Sequence, residues 1–319
     1  MRTMAVRQAC ASAPASIGNV GPGFDILGQA FDAVRDTVLA VGEACPGVRL
    51  GTVTGLVASL PDQVSNNTAL AAAAAVLDAA RADFGVCLSI DKGIPLAAGM
   101  GGSAASAVAA TVAVNALLGS PFSDADLFLL ALEGERVASD PPHWDNVMAS
   151  LLGGLVLAAR VSPPLFTKLP VPAGLTAILL HPAAKIETRA ARHLLEPRVP
   201  MDLVVEQSRR LAAFVAGCAS GDQDLIRAGL DDVLVEPQRE HLLPVLPVVK
   251  AAALAAGALG CSFSGSGPSV FAWAPDEASA AVEDAMAWAF METGLAARSY
   301  RAPIDSAGAR VEMLPEKVR

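Results

Sequence analysis

The sequence predicts an α+β protein of two domains, and three observations carry that prediction. Alternating apolar stretches ("DTVLAVGE", "GVRLGTVTG", "VCLSID", "LTAILLHP") are mixed with helix-forming stretches in no regular β–α order, which argues against a doubly wound parallel sheet. The 319 residues are 53% hydrophobic, enough to bury a sizeable core in each of two domains. A proline-dense loop (Pro163, Pro164, Pro170, Pro172) breaks the chain near its midpoint, so the expected domains are residues 1–160 and 161–319.

Taken in order, the chain opens with "APASIGNVGPGFDILGQAFD", read as a Gly-rich loop from Ser16 to Phe24 followed by a short apolar run. "DTVLAVGE" and "GVRLGTVTG" follow as strands. "SNNTALAAAAAVLDAARADFG" is a helix by alanine propensity, with Asn or Thr at its start and Gly85 as its stop. "VCLSID" is a strand, and "SDADLFLLALEGERVA" a helix whose Ser123 and Asp126 have capping-box spacing. "ASLLGGLVLAAR" reads as an apolar strand pair or one bent strand. The second half supplies the strand "LTAILLHP", several helices between Met201 and Ala256, and a Gly/Ser knot, "GCSFSGSGPSVFAWAP". A helix from Ala278 to Thr293 and a strand, "ARVEML", finish the chain.

Composition excludes several classes of function. A net charge of -9 without a basic cluster argues against a nucleic-acid surface. The five cysteines are scattered, with no C-x-x-C and no histidine at zinc spacing, so reduced thiols in a cytoplasmic protein are expected. "MRTMAVRQACASAPAS" lacks the unbroken apolar run of a signal peptide.

The segment "GIPLAAGMGGSAASAVAATVAVNALLGSPFS", Gly93 to Ser123, carries no charge and raises the question of a membrane span. Pro95, Gly99, Gly101 and Gly102 break its first third, and the remaining run from Ser103 to Leu118 would reach only about 24 Å as a helix, short of the hydrocarbon core. The better reading is a glycine turn feeding a buried helix from Ser103 and Ala104, whose free N–H groups and dipole favour an anion. No Walker A sequence occurs anywhere. The G-x-G-x-x-A match at Gly99, Gly101 and Ala104 lacks the strand and acidic residue that a dinucleotide site needs.

The whole pattern "PLAAGMGGSAAS" resembles the phosphate-binding motif of the galactokinase, homoserine kinase and mevalonate kinase superfamily, the GHMP kinases. "PASIGNVGPGFDILGQA" is similar to that family's N-terminal substrate loop, and "GCSFSGSGPSVFA" to its C-terminal glycine loop. "NVGPGFD", "HWDNV" and "GSGPSVFA" together look most like the homoserine kinase branch. The resemblance implies a ribosomal protein S5 domain 2-like N-terminal domain, a ferredoxin-like C-terminal domain, and a possible homodimer.

It also implies transfer of the ATP γ-phosphoryl group to an alcohol, here L-homoserine, on the threonine pathway. Pro95, Gly99, Met100, Gly101, Gly102, Ser103 and Ala104 would hold the triphosphate, and Ser103 with Glu135 would ligate Mg²⁺. Asn67 would contact adenine or, equally, simply cap its helix. The acceptor site implied is Asn19, Asp25, His143, Asn146, Thr188, Arg192 and Arg239, closed by Gly265, Ser266 and Gly267. Within it Arg192 and Arg239 fit a carboxylate, Asp25 an ammonium, and Asn19 and Asn146 the reacting hydroxyl and γ-phosphate, with Asn19, Asn146 and Arg239 counted as catalytic. No dedicated general base is expected, Asp145 being the nearest candidate. Competing readings are another small alcohol (shikimate or a mevalonate type) and a catalytically weak nucleotide-binding regulator. The sequence departs from the family pattern at Gly102, where a second serine is usual, and more mildly at Gly18, Met100 and Trp144.

Overall fold

The computed structural model describes residues 5–160 and 162–313. The described residues form a seven-stranded and a four-stranded sheet. In the first, β1 (Gln8–Gly18) pairs antiparallel with the long β2 (Leu27–Glu43), whose far half then pairs with β4 (Gly85–Lys92) and whose near end pairs with β5 (Leu155–Arg160). β3 (Gly47–Gly55) lies parallel to β4, with α1 (Thr68–Ala80) between them in the chain. β6 (Leu165–Leu169) forms a hairpin with β5. Helices α2 (Gly102–Leu117), α3 (Asp124–Glu135) and α4 (Trp144–Leu152) pack with α1 on this sheet.

The second sheet takes β7 (Leu175–Pro182), β8 (Gly260–Phe263), β9 (Val270–Pro275) and β10 (Ala297–Pro303) in the antiparallel order β10-β7-β9-β8. Counting strands within this unit, the order is fourth, first, third, second, which is the ferredoxin-like arrangement. Between β7 and β8 run α5 (Thr188–His193), α6 (Met201–Ser220), α7 (Gln223–Gly229), α8 (Glu236–Arg239) and α9 (Leu246–Ala255); α10 (Ser279–Glu292) joins β9 to β10. The last strand, β11 (Arg310–Glu312), returns to the first sheet beside β1. Leu314, at the end of "ARVEML", lies outside the described residues, as do Met1–Met4 and Val161.

Because β6 and β11 both belong to the first sheet, a division at residue 160 falls between β5 and β6, inside that sheet; the chain changes sheets between Leu169 and Leu175. One core spans the two units: Ile17, Leu27 and Phe31 pack in the same buried cluster as Leu179, Phe271 and Trp273. Trp273, fully buried, donates its indole N–H to Gln29 Oε1 at 2.8 Å and leans on Phe214 at 5.1 Å. The other face of the second sheet is covered by α9 and α10 around a separate cluster.

Three expectations change. The opening is a strand as far as Gly18: its small residues have little strand propensity, but pairing to β2 on one side and β11 on the other overrides it. "ASLLGG" is the end of α4, where continuous burial hid the helical period; Gly153 and Gly154, with φ of 78° and 67°, stop the helix before β5. Helix α1 ends at Arg81 in a left-handed conformation, and Gly85 instead opens β4. The capping box at Ser123 and Asp126 is present. The uncharged helix α2 lies in the core, and no helix among the described residues is long and apolar enough to cross a membrane.

Candidate active site

Three glycine-containing loops meet where the two units join, and they are bonded to one another largely through backbone. Ser16 N–H donates to Met100 O at 3.0 Å, and Gly265 N–H to Gly18 O at 3.1 Å. Ser264 Oγ donates to Gly99 O at 2.6 Å, and Ser269 N–H to Ala98 O at 3.3 Å. Asn19 Nδ2 donates to Gly265 O at 2.9 Å. Such close approach requires glycine at two places. A Cβ on Gly99 would stand 2.6 Å from Gly267 O, and one on Gly101 would overlap Ser16 Oγ.

Gly101, at φ 64°, is also the N-cap of α2, and no side chain caps that helix. Its first-turn N–H groups therefore open into a cleft lined by Pro95, Gly99, Met100, Gly101, Gly102 and Ser103. Ala104 is wholly buried in the core and does not line the cleft. Replacing Gly101 by Ala adds left-handed strain of roughly 1–2 kcal/mol to the overlap with Ser16. The expected result is a raised KM for nucleotide and a lowered melting temperature; an unchanged KM would contradict this account of the turn.

Asn67 is the N-cap of α1: its Oδ1 accepts from Ala69 and Leu70 N–H at 3.0 and 3.3 Å, while Nδ2 donates to Pro61 O at 2.8 Å. With both ends of the amide engaged, its geometry is that of a cap pinning the 60–67 loop over the cleft.

At the other side of the α2 N-terminus, Ser103 Oγ donates to Glu135 Oε1 at 3.0 Å, and His143 Nδ1 lies 3.2 Å from the same oxygen. Glu135 closes α3 and is buried, yet its Oε2 has no hydrogen-bond partner. Burial pushes the His143 pKa down, but the hydrogen bond and charge of Glu135, with Asp145 behind them, outweigh it and the net shift is upward. A buried carboxylate oxygen left unpaired beside a hydroxyl fits a hard cation. Among the described residues no group of three or more His, Cys, Asp or Glu could hold a metal, so Glu135 is joined there by no cluster of such side chains.

Asp145, fully enclosed, accepts from Asn19 N–H at 2.9 Å and from Asn146 Nδ2 at 3.2 Å. Burial pushes its carboxyl above the ordinary range, His143 opposing the rise and Asp25 adding to it. Asn146 Oδ1 accepts from Ser16 Oγ at 2.9 Å, and Asn19 Oδ1 from Asp25 N–H at 3.2 Å. Each asparagine is thus fixed in rotation with one amide N–H still to donate, and both line the cleft.

Arg192 forms a bidentate pair with Asp25, both bonds 2.8 Å. Arg239 is buried and donates Nε–H to Ala191 O at 3.2 Å, but makes no ion pair among the described residues. Burial, with the neighbouring Arg192 charge, pulls its pKa down to about 10. Phe24, to which the sequence gives no role, has both guanidinium groups over its ring, Arg192 at 5.3 Å and Arg239 at 5.2 Å from the centroid. Thr188 Oγ1 accepts from Ser266 Oγ at 3.1 Å and ties α5 to the third loop. Gly265 and Ser266 line the cleft; Gly267 does not, and packs against Phe263.

Models of the GHMP kinase N-terminal and C-terminal domains match residues 67–154 and 213–290. The chain is 47% identical to a homoserine kinase of Xanthomonas campestris over 96% of its length and 94% of the relative's. It is 39% identical to one of Chlorobaculum tepidum, over 94% and 96%. The chain belongs to the homoserine kinases of the GHMP kinase family. The crystal structure of a homoserine kinase from Cytophaga hutchinsonii superposes with a TM-score of 0.92 at 37% identity, covering 98% of this chain and 99% of that one. An L. major mevalonate kinase in complex with R-mevalonate shares the fold at 16% identity and a TM-score of 0.72, over 94% of this chain and 98% of that one. The three motifs picked out in the sequence are the three interlocked loops, so residues far apart in the chain line one cleft.

Proposed function

We propose that the chain phosphorylates the hydroxyl of L-homoserine with ATP, giving O-phospho-L-homoserine and ADP for threonine synthesis. The observation that carries the choice of acceptor is the buried, unpaired guanidinium of Arg239 beside the Arg192–Asp25 pair. An amino acid supplies a carboxylate for that guanidinium and an ammonium for Asp25, whereas shikimate or mevalonate supplies only the former.

Gly99 to Ser103 present main-chain N–H groups to the triphosphate at the α2 N-terminus. Ser103 and Glu135 would hold Mg²⁺, which when bound neutralises charge on the phosphates. Asn19 and Asn146 direct their remaining N–H groups at the place where hydroxyl and γ-phosphate meet. The hydroxyl oxygen forms its bond to the γ-phosphorus as the bond to the ADP oxygen breaks. Asp145 is committed to orienting the two asparagines, so no side chain is assigned as base; the hydroxyl proton leaves late, to a phosphoryl oxygen. The cytoplasm is the proposed location, and a homodimer the proposed assembly.

The test is ADP release with a panel of acceptors: L-homoserine, its methyl ester, its N-acetyl derivative, shikimate and mevalonate. Strong stimulation by L-homoserine and weak stimulation by both blocked forms is expected. Stimulation by shikimate or mevalonate in place of homoserine would overturn the acceptor, and no stimulation by any alcohol with nucleotide binding intact would favour the regulator.

A further inference from the structure

Beneath the phosphate loop lies a buried charged cluster that phosphoryl transfer, as described above, leaves unused. Lys92, at the end of β4, is only 2% exposed, and its ammonium is paired with Asp36 of β2. The same ammonium donates to Ser106 Oγ at 2.9 Å and to Gly102 O at 3.1 Å. Ser106 donates in turn to Asp36 Oδ2 at 2.6 Å, while Asp36 Oδ1 accepts the N–H groups of Gly93 and Ile94, both at 3.1 Å. Asp36 therefore holds the start of the loop directly, and through Lys92 and Ser106 it holds the loop's end at the first turn of α2. All three ammonium hydrogens have protein acceptors, so Lys92 reaches the cleft wall with none to spare for a ligand.

We propose that Lys92, with Asp36 and Ser106, is a positioning clamp for the nucleotide triphosphate, fixing both ends of residues 93–102 so that the loop's N–H groups converge. The proposal rests on the loop being the ATP site. A glycine loop that is free in the unbound protein must lose conformational entropy on binding, and a clamp at both ends removes that loss in advance. It also answers the departure at Gly102. That residue has no hydroxyl to anchor the turn, and a Cβ there would come within 3.1 Å of Ile94 Cγ2, so the turn is held by its carbonyl instead.

The test uses two variants of the full chain, Lys92→Met and the double variant Lys92→Met with Asp36→Asn. The double variant removes the buried charge imbalance that the single one creates. Thermal melting, the affinity for ADP by calorimetry, and KM for ATP and for homoserine are measured. The double variant is expected to regain the melting temperature lost by the single one. Its ADP affinity should stay weakened and its KM for ATP raised, by about tenfold to a hundredfold, with KM for homoserine unchanged. Wild-type ADP affinity in the double variant would overturn the clamp, because Lys92 would then serve only to neutralise Asp36; an equal rise in both KM values would overturn it as well. Should neither variant fold, Ser106→Ala removes one link of the clamp and is read by the same comparison. Absence of ADP binding by the unaltered protein would instead count against the ATP site itself.

Discussion

Replacing Glu135 by Gln is expected to lower kcat with Mg-ATP by about a hundredfold or more, the order seen when a preorganised charge-stabilising group is removed. The reason lies in how the carboxylate is housed. One oxygen receives Ser103 Oγ–H and faces His143, whereas the other is buried and receives nothing. A folded protein rarely leaves a charged oxygen in that condition unless a ligand completes it. Gln keeps the shape and can still accept from Ser103, so the melting temperature should hold or rise while the Mg²⁺ needed for half-maximal rate increases. Stability held at the cost of activity would mark Glu135 as a functional rather than a packing residue. A wild-type rate at wild-type Mg²⁺ dependence would remove Glu135 from the metal site.

Much of this site was legible because its chemistry is local. The glycines of residues 99–102, the serine that follows them and the helix behind them lie in one short stretch, and positive φ at Gly99 and Gly101 is a demand that sequence displays openly. Residues whose partners lie far along the chain were not legible. Lys92 and Asp36 are 56 positions apart and each looks like an ordinary charge ending or interrupting an apolar strand. Only the fold brings them together, and only burial makes the pair consequential. Phe24 had a visible cue, a lone aromatic between Gly23 and Asp25, but its two arginines come from α5 and α8 of the other unit. The β1 strand was hidden for the same reason: alanine and serine carry no strand pattern, and its neighbours on the sheet are residues 27–43 and 310–312. Asn67 shows the opposite limit: the sequence left cap and adenine contact level, and the fold supplies the cap while leaving one Nδ2 hydrogen on a residue that lines the cleft.

Arg239→Met should raise KM for homoserine by roughly a hundredfold while leaving KM for ATP unchanged, in line with the 2–5 kcal/mol typical of removing one member of a buried charged pair. Arg192 is less suited to replace it, because two of its N–H groups are committed to Asp25 at 2.8 Å and the group is partly exposed. Burial, with the Arg192 charge nearby, lowers the Arg239 pKa to about 10 although Asp232 and Asp25 pull the other way; at neutral pH it is still protonated and ready for a carboxylate. A ligand carboxylate relieves that desolvation, so its binding should be stronger than a solvent-exposed contact allows. Met keeps much of the side chain's volume and removes the buried charge together with the bond to Ala191 O; relief of the desolvation should outweigh that one bond, so the free variant should melt at least as high as the unaltered protein. Phe24→Leu removes the ring that both guanidinium groups contact and should raise the same KM by a smaller factor, cation–π contacts being worth about 0.5–2 kcal/mol. If Arg239→Met instead lowered melting temperature and raised both KM values together, the residue would be a strut between α8 and the third loop, and the carboxylate of the acceptor would have to be sought elsewhere in the cleft.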